Sequence, residues 1–162
     1  MTNRWKAAII VALLSVNLVL GAVAMRGTLV NEARADGSSH TEELLPYMST
    51  QQRSMHKLFL SIQAKNKPLA EFYLEKIGET FDIIETKFPT YDNFQIGALS
   101  KAMFDPATPP LAKALGASDW AGASAAYNNV VTACNNCHIA TQHAFVKIVT
   151  PTGNPFNQSF AP

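Results

Sequence analysis

The sequence predicts an all-α fold, an antiparallel four-helix bundle whose C-terminal helix is followed by a coil tail. Three observations carry this expectation. Apolar residues recur at helical spacing in each long segment, with no useful strand alternation and no internal repeat. Prolines and capping residues fall where those segments begin and stop. The connections are short, so successive helices run antiparallel. With 48% hydrophobic and 15% charged residues the chain is globular rather than disordered, and 162 residues suffice for one domain with a sizeable core.

The chain divides into residues 1–35 and a domain of residues 36–162. Arg4 and Lys6 precede an almost wholly apolar run from Ala7 to Met25, and Ala33-Arg34-Ala35 supplies a small-x-small cleavage pattern before Asp36. That is the layout of a secretory signal peptide. The run also approaches the about 20 residues that span a bilayer, so a retained N-terminal membrane anchor is the alternative. In both cases the basic start stays inside and the domain is exported, to the periplasm. Residues 1–35 hold Arg4, Lys6, Arg26, Arg34 and Glu32, a net +3, so a total of +1 leaves −2 for the domain. Such a domain lacks the basic face of a nucleic-acid binder.

The first helix of the domain opens at Thr41-Glu42-Glu43, acids favouring a helix N-terminus. Leu44, Met48, Met55, Phe59 and Ile62 form its stripe, which ends near Asn66. Pro68 begins the second helix, where a missing N–H costs nothing. Its inner face is Tyr73, Ile77, Phe81, Ile84 and Phe88, and Pro89 stops it. Glu71, Glu75, Glu79 and Asp82 make a solvated outer face, or, in a sharper reading, a docking patch for a basic partner. Pro106, Pro109 and Pro110 break the next stretch, leaving one or two short helices near 94–104 and 111–115. Ser118 or Asp119 caps the last long helix. Trp120, Ala123, Tyr127, Val130, Cys134, Cys137, His138, Thr141, Phe145 and Ile148 mark one face of it. Beyond Val149, Pro151, Pro155 and Pro162 give a coil.

Within that last helix lies Cys134-Asn135-Asn136-Cys137-His138, which holds both cysteines of the chain. Positions i, i+3 and i+4 share a helix face, so two sulfurs and one imidazole project together. C-x-x-C-H is the pattern of c-type haem attachment. Cys134 and Cys137 are expected to form the two thioethers of a single covalent haem c, and His138 to bind its iron. Attachment on the exported side agrees with the N-terminus. Three other uses are weaker. A disulfide closing so small a loop restrains the unfolded chain little. A thioredoxin-like pair sits at a helix N-terminus after a strand. A zinc site would need His143 and a fourth ligand, leaving His138 idle.

No methionine follows His138, so a sixth iron ligand has to come from an earlier helix. A haem motif on the last helix of a four-helix bundle resembles the class II cytochromes c, the cytochrome c prime group and its low-spin relatives, over residues 41 to 148. The resemblance implies a haem whose distal side faces the middle of the first helix, and a homodimer through the first two helices. Two neighbours stand there. His56, at the stripe edge beside Phe59, is taken as the distal axial ligand, and Met55, at the stripe centre, as the alternative. An open or water-bound position and Met48 follow. His40 is read as solvated, and His143 as pointing away from the iron. Where the family carries an aromatic and then Arg or Lys after the motif, this chain has Thr141 and Gln142, which counts against an open gas-binding site. Gln52 with His56-Lys57-Leu58, Leu69-Ala70-Glu71-Phe72-Tyr73-Leu74, the haem motif and a tail with Asn157-Gln158 resemble a second group, of exported monohaem proteins, which brings no established activity.

Phe59, Phe72, Phe81, Tyr127 and Phe145 are large enough to wall a haem, though simple core packing is the plainer reading of each. The expected function is a periplasmic one-electron carrier that docks redox partner proteins and is not an enzyme. The alternative is a haem protein that binds NO or CO. A peroxidase would need a placed acid–base pair, which the sequence does not offer.

Overall fold

The computed structural model describes residues 44–162. Residues 1–35, expected to be a signal or anchor, His40 and the helix start expected at Thr41–Glu43 lie outside the described residues. Among those described, the chain is all-helical. Helix α1 covers residues 44–63, α2 Lys67–Lys87, α3 Ile96–Phe104, α4 Thr108–Gly116 and α5 Trp120–Ala140.

Local chemistry sets most boundaries. The Leu69 N–H donates to Asn66 Oδ1 at 3.2 Å, and Pro68 follows in the first turn of α2. Asp119, not Ser118, caps α5: its Oδ1 accepts from the Gly122 N–H at 3.0 Å. Pro109 and Pro110 start α4 rather than interrupting it, because the first turn has no partner for the N–H groups that proline lacks. That is why α4 extends beyond the expected 111–115.

Three helices end the same way. At Lys65, Ser118 and Gln142 the backbone is left-handed, with φ of 57°, 54° and 62°. The next N–H reaches back five residues, as Asn66 to the Ser61 carbonyl, Asp119 to Ala114 and His143 to His138. These are Schellman closures, which glycine usually serves, built here without glycine. The third ends α5 at Ala140, so Phe145 and Ile148 are not on the helix face predicted for them.

The buried face of α1 is Leu44, Gln51, Met55, Leu58 and Ile62, with Leu58 fully buried and Phe59 turned half outward against Tyr127 at 5.3 Å between ring centres. On α2, Tyr73, Ile77, Ile84 and the following Phe88 are buried as expected, and Phe81 partly so. The four acids of its outer face are exposed, and Lys67 and Lys76 pair with Glu71 and Glu79 at 3.8 and 2.7 Å. Helix α3 packs on α2 and α5, and α4 on α5 and α2. The main core joins Met55, Leu58 and Ile62 to Tyr73, Ile77, Leu111, Leu115, Tyr127 and Val130.

The tail has no helix, but it is tightly held. Phe160 is buried in the main core. The Tyr73 hydroxyl donates to Gln158 Oε1 at 2.9 Å, and Asn66 Nδ2 donates to the carbonyls of Phe160 and Ala161 at 3.2 and 2.9 Å. The ammonium of Lys57 sits 5.0 Å from the centre of the Phe156 ring.

Candidate functional site

Helix α5 presents Cys134, Cys137 and His138 on one face, as spacings of three and four residues require. That face opens on a cleft of about 150 Å³ whose other walls are Met48, Gln51, Gln52 and Met55 of α1, Phe81 of α2, and Val146 and Ile148 of the strap that follows α5. Gln52, Met55 and Ile148 also wall an adjoining cleft of about 530 Å³, lined further by His56, Tyr127 and residues 149–155 of the strap. The inner cleft is smaller than a usual cofactor site of roughly 300–1,000 Å³; the adjoining one lies within that range.

His138 is half-buried, and its Nδ1 stands 2.6 Å from the Val146 carbonyl oxygen. A carbonyl only accepts, so Nδ1 carries the proton and the Nε2 lone pair stays free. This is the tautomer a metal takes, with the second ring nitrogen oriented by a backbone carbonyl. The strap is placed by the Schellman closure at Gln142 and by Thr141, whose buried hydroxyl donates to the Cys137 carbonyl at 3.0 Å. Thr141 and Gln142, the departures from the class II pattern, are thus the residues that turn the chain back over His138.

Both cysteines are free thiols. Burial pushes the Cys134 thiol up to about 11, with the neighbouring Cys137 adding to the shift, and burial raises Cys137 as well. Neither carries the lowered pKa that marks a redox-active thiol pair. With the pKa raised from 9.0 to about 11, the thiolate fraction of Cys134 near neutrality is about 100-fold lower than that of an unperturbed thiol. A thiolate of higher pKa is also the stronger nucleophile, so alkylation of Cys134 in the chain made without haem is expected to be about tenfold slower than that of a free cysteine at pH 7.5, and to accelerate as pH rises toward 11. Denaturing the chain should abolish the difference. The same shift makes this form lose stability between about pH 9 and 11, where the unfolded chain releases a proton that the folded one keeps.

Gln51 is a residue that periodicity did not mark. Its Nε2 donates to the Ile77 carbonyl at 2.9 Å, which fixes the orientation of the amide. Oε1 is buried and has no protein partner. An unmet buried acceptor costs about 1–3 kcal/mol. A wall of thiols, thioethers and one orphaned acceptor suits a site built to be filled, and the donor set fits a haem: two thiols, one imidazole with Nε2 free, and apolar walls.

The structure brings Cys134, Cys137, His138, Met55 and Met48 to one cleft. His56 lines only the adjoining cleft; its Nε2 lies 2.8 Å from the Gly153 carbonyl oxygen, and its ring meets the Phe156 edge at 4.9 Å between centres. Of the expected wall residues, Phe81 lines the inner cleft and Tyr127 the outer. Phe72 is 46% exposed on α2, and Phe145 is 82% exposed on the strap. His143 Nδ1 bonds the Thr141 carbonyl at 2.7 Å. Among the described residues, no group of three or more His, Cys, Asp or Glu side chains is gathered to hold a metal ion. Comparison with protein-family profiles, curated proteins and solved structures finds no match to the chain.

Proposed function

We propose that the chain is a monohaem c-type cytochrome of the class II kind, an exported one-electron carrier whose four-helix frame is α1, α2, the α3–α4 pair and α5. One observation carries the reading: Cys134, Cys137 and His138 share an apolar cleft with Met55, and the Nδ1 of His138 is bonded so that Nε2 is free. A bound haem supplies a one-electron iron couple. The residues do the rest. Cys134 and Cys137 would hold the group as thioethers, His138 Nε2 would bind its iron, and Met48, Phe81 and Ile148 would exclude water, which raises the strength of every local electrostatic effect. Of the two candidates for a second iron ligand, Met55 stands in the cleft itself, whereas His56 would have to leave the Gly153 carbonyl to reach it. Electron exchange then needs only a docked redox partner.

A gas-binding protein would share the thioethers and His138 and differ at the sixth position. Absorption spectra of the oxidised, reduced and CO-treated protein separate the two. The carrier reading predicts a low-spin c-type spectrum that CO leaves unchanged; a high-spin ferrous form shifted at once by CO supports the gas-binding reading instead.

A further inference from the structure

We propose that Asn135, one of the two unspecified positions of the C-x-x-C-H motif, is a positioning residue for the proximal imidazole, acting through the strap; this rests on the cytochrome reading. The side chain of Asn135 uses both ends of its amide on one residue. Nδ2 donates to the Ile148 carbonyl at 2.9 Å, and Oδ1 accepts from the Ile148 N–H at 2.8 Å. Such a two-way pair copies backbone pairing and fixes register as well as distance, leaving Ile148 no freedom to slide along α5. Two residues earlier on the same strap, the Val146 carbonyl accepts from His138 Nδ1 at 2.6 Å. His138 lies three residues after Asn135 on α5, on the same side of the helix. Helix, Asn135, Ile148, Val146 and His138 therefore form a closed ring of contacts.

The strap offers little else to hold Val146 in place. Phe145 is 82% exposed, Val149 65% and Val146 43%, so its apolar side chains anchor it weakly apart from half-buried Ile148. Between Ala144 and Ile148 its backbone makes one bond to other backbone, from the Val146 N–H to the His143 carbonyl at 2.8 Å, and farther along the Gly153 carbonyl meets His56 Nε2 at 2.8 Å. The amide of Asn135 is thus the fastener that sets where the carbonyl acceptor stands. A carbonyl held on Nδ1–H makes Nε2 a stronger donor to iron, which favours the oxidised state and lowers the reduction potential. Loosening the fastener moves the potential upward without touching a ligand.

The test uses the full-length haem-loaded protein and three variants. Asn135→Ala is expected to raise hydrogen exchange of the Ile148 amide about tenfold or more, to raise the reduction potential, and to weaken the iron–histidine stretch, read by resonance Raman in the five-coordinate ferrous state of the same variants carrying Met55→Ala. Asn135→Asp, which keeps the acceptor for the Ile148 N–H but loses the donor to its carbonyl, falls between and stands in if the alanine variant fails to accumulate. Asn136→Ala, at the exposed neighbouring position, leaves all three at the wild-type values. Unchanged potential and stretch in Asn135→Ala, whether or not Ile148 exchange rises, overturn the positioning role. A wild-type chain without haem is recognised before any variant is made, and that result overturns the cytochrome reading itself.

Discussion

Replacing Cys134 and Cys137 together by serine removes all haem that survives acid–acetone extraction. A hydroxyl does not add to a vinyl group under the conditions of cytochrome maturation, and His138 alone is left to hold the macrocycle through iron. Single serine variants keep one thioether and one unsaturated vinyl, so the reduced absorption bands move to the red while some haem stays covalent. The double variant should also separate haem binding from folding. The sulfurs lie on the cleft wall, Cys134 at the edge of a main core whose packing comes from Met55, Leu58, Ile77, Tyr127 and Val130. Its helical circular dichroism without haem should therefore match that of the wild-type chain without haem. Covalent haem persisting in the double variant contradicts the assignment of the sulfurs.

Met55→Ala and His56→Ala should differ sharply. Met55 is 4% exposed and lines both clefts, so its truncation removes the candidate thioether and a core side chain at once. The expected result is a high-spin ferrous haem that binds CO, a lower reduction potential in the absence of the thioether, and a loss of about 2–5 kcal/mol in stability. Met55→Leu keeps most of the volume and isolates the ligand effect, since such swaps cost under about 1.5 kcal/mol. His56→Ala removes the bond to Gly153 and leaves the spectrum low-spin. The reverse pattern, with CO binding only after His56→Ala, assigns the distal ligand to His56 and requires the strap at Gly153 to release it.

The sequence made the periodic parts of the molecule legible. Ile77 and Ile84 are fully buried because they sit where a 3.6-residue period places them on α2, and Asp119 caps α5 because a short acceptor before an apolar run has few other uses. The face shared by Cys134, Cys137 and His138 follows from spacing alone. What escaped was aperiodic. The end of α5 rests on Gln142 in a left-handed conformation, and a glutamine gives no warning of a turn that glycine normally announces. The strap and tail are held by amide side chains on backbone groups, from Asn135 to Ile148 and from Asn66 to Phe160, and such pairs leave no pattern in a linear reading. Gln51 was invisible for a related reason. A polar residue on a buried face declares itself only once its partner, the Ile77 carbonyl of the next helix, is known. Of the sequence neighbours Met55 and His56, the first lines both clefts and the second the adjoining one alone, because one residue turns a helix by about 100°.

In the proposed cytochrome, Cys134 and Cys137 are consumed by one haem whose iron His138 holds. Intact and peptide mass spectrometry of the wild-type protein, purified from a host competent in c-type cytochrome maturation, tests it most directly. A single haem's mass is expected on the peptide carrying residues 134–138, with neither thiol open to alkylation after denaturation. A peptide at its bare mass with both thiols alkylated, or joined by a disulfide, contradicts it.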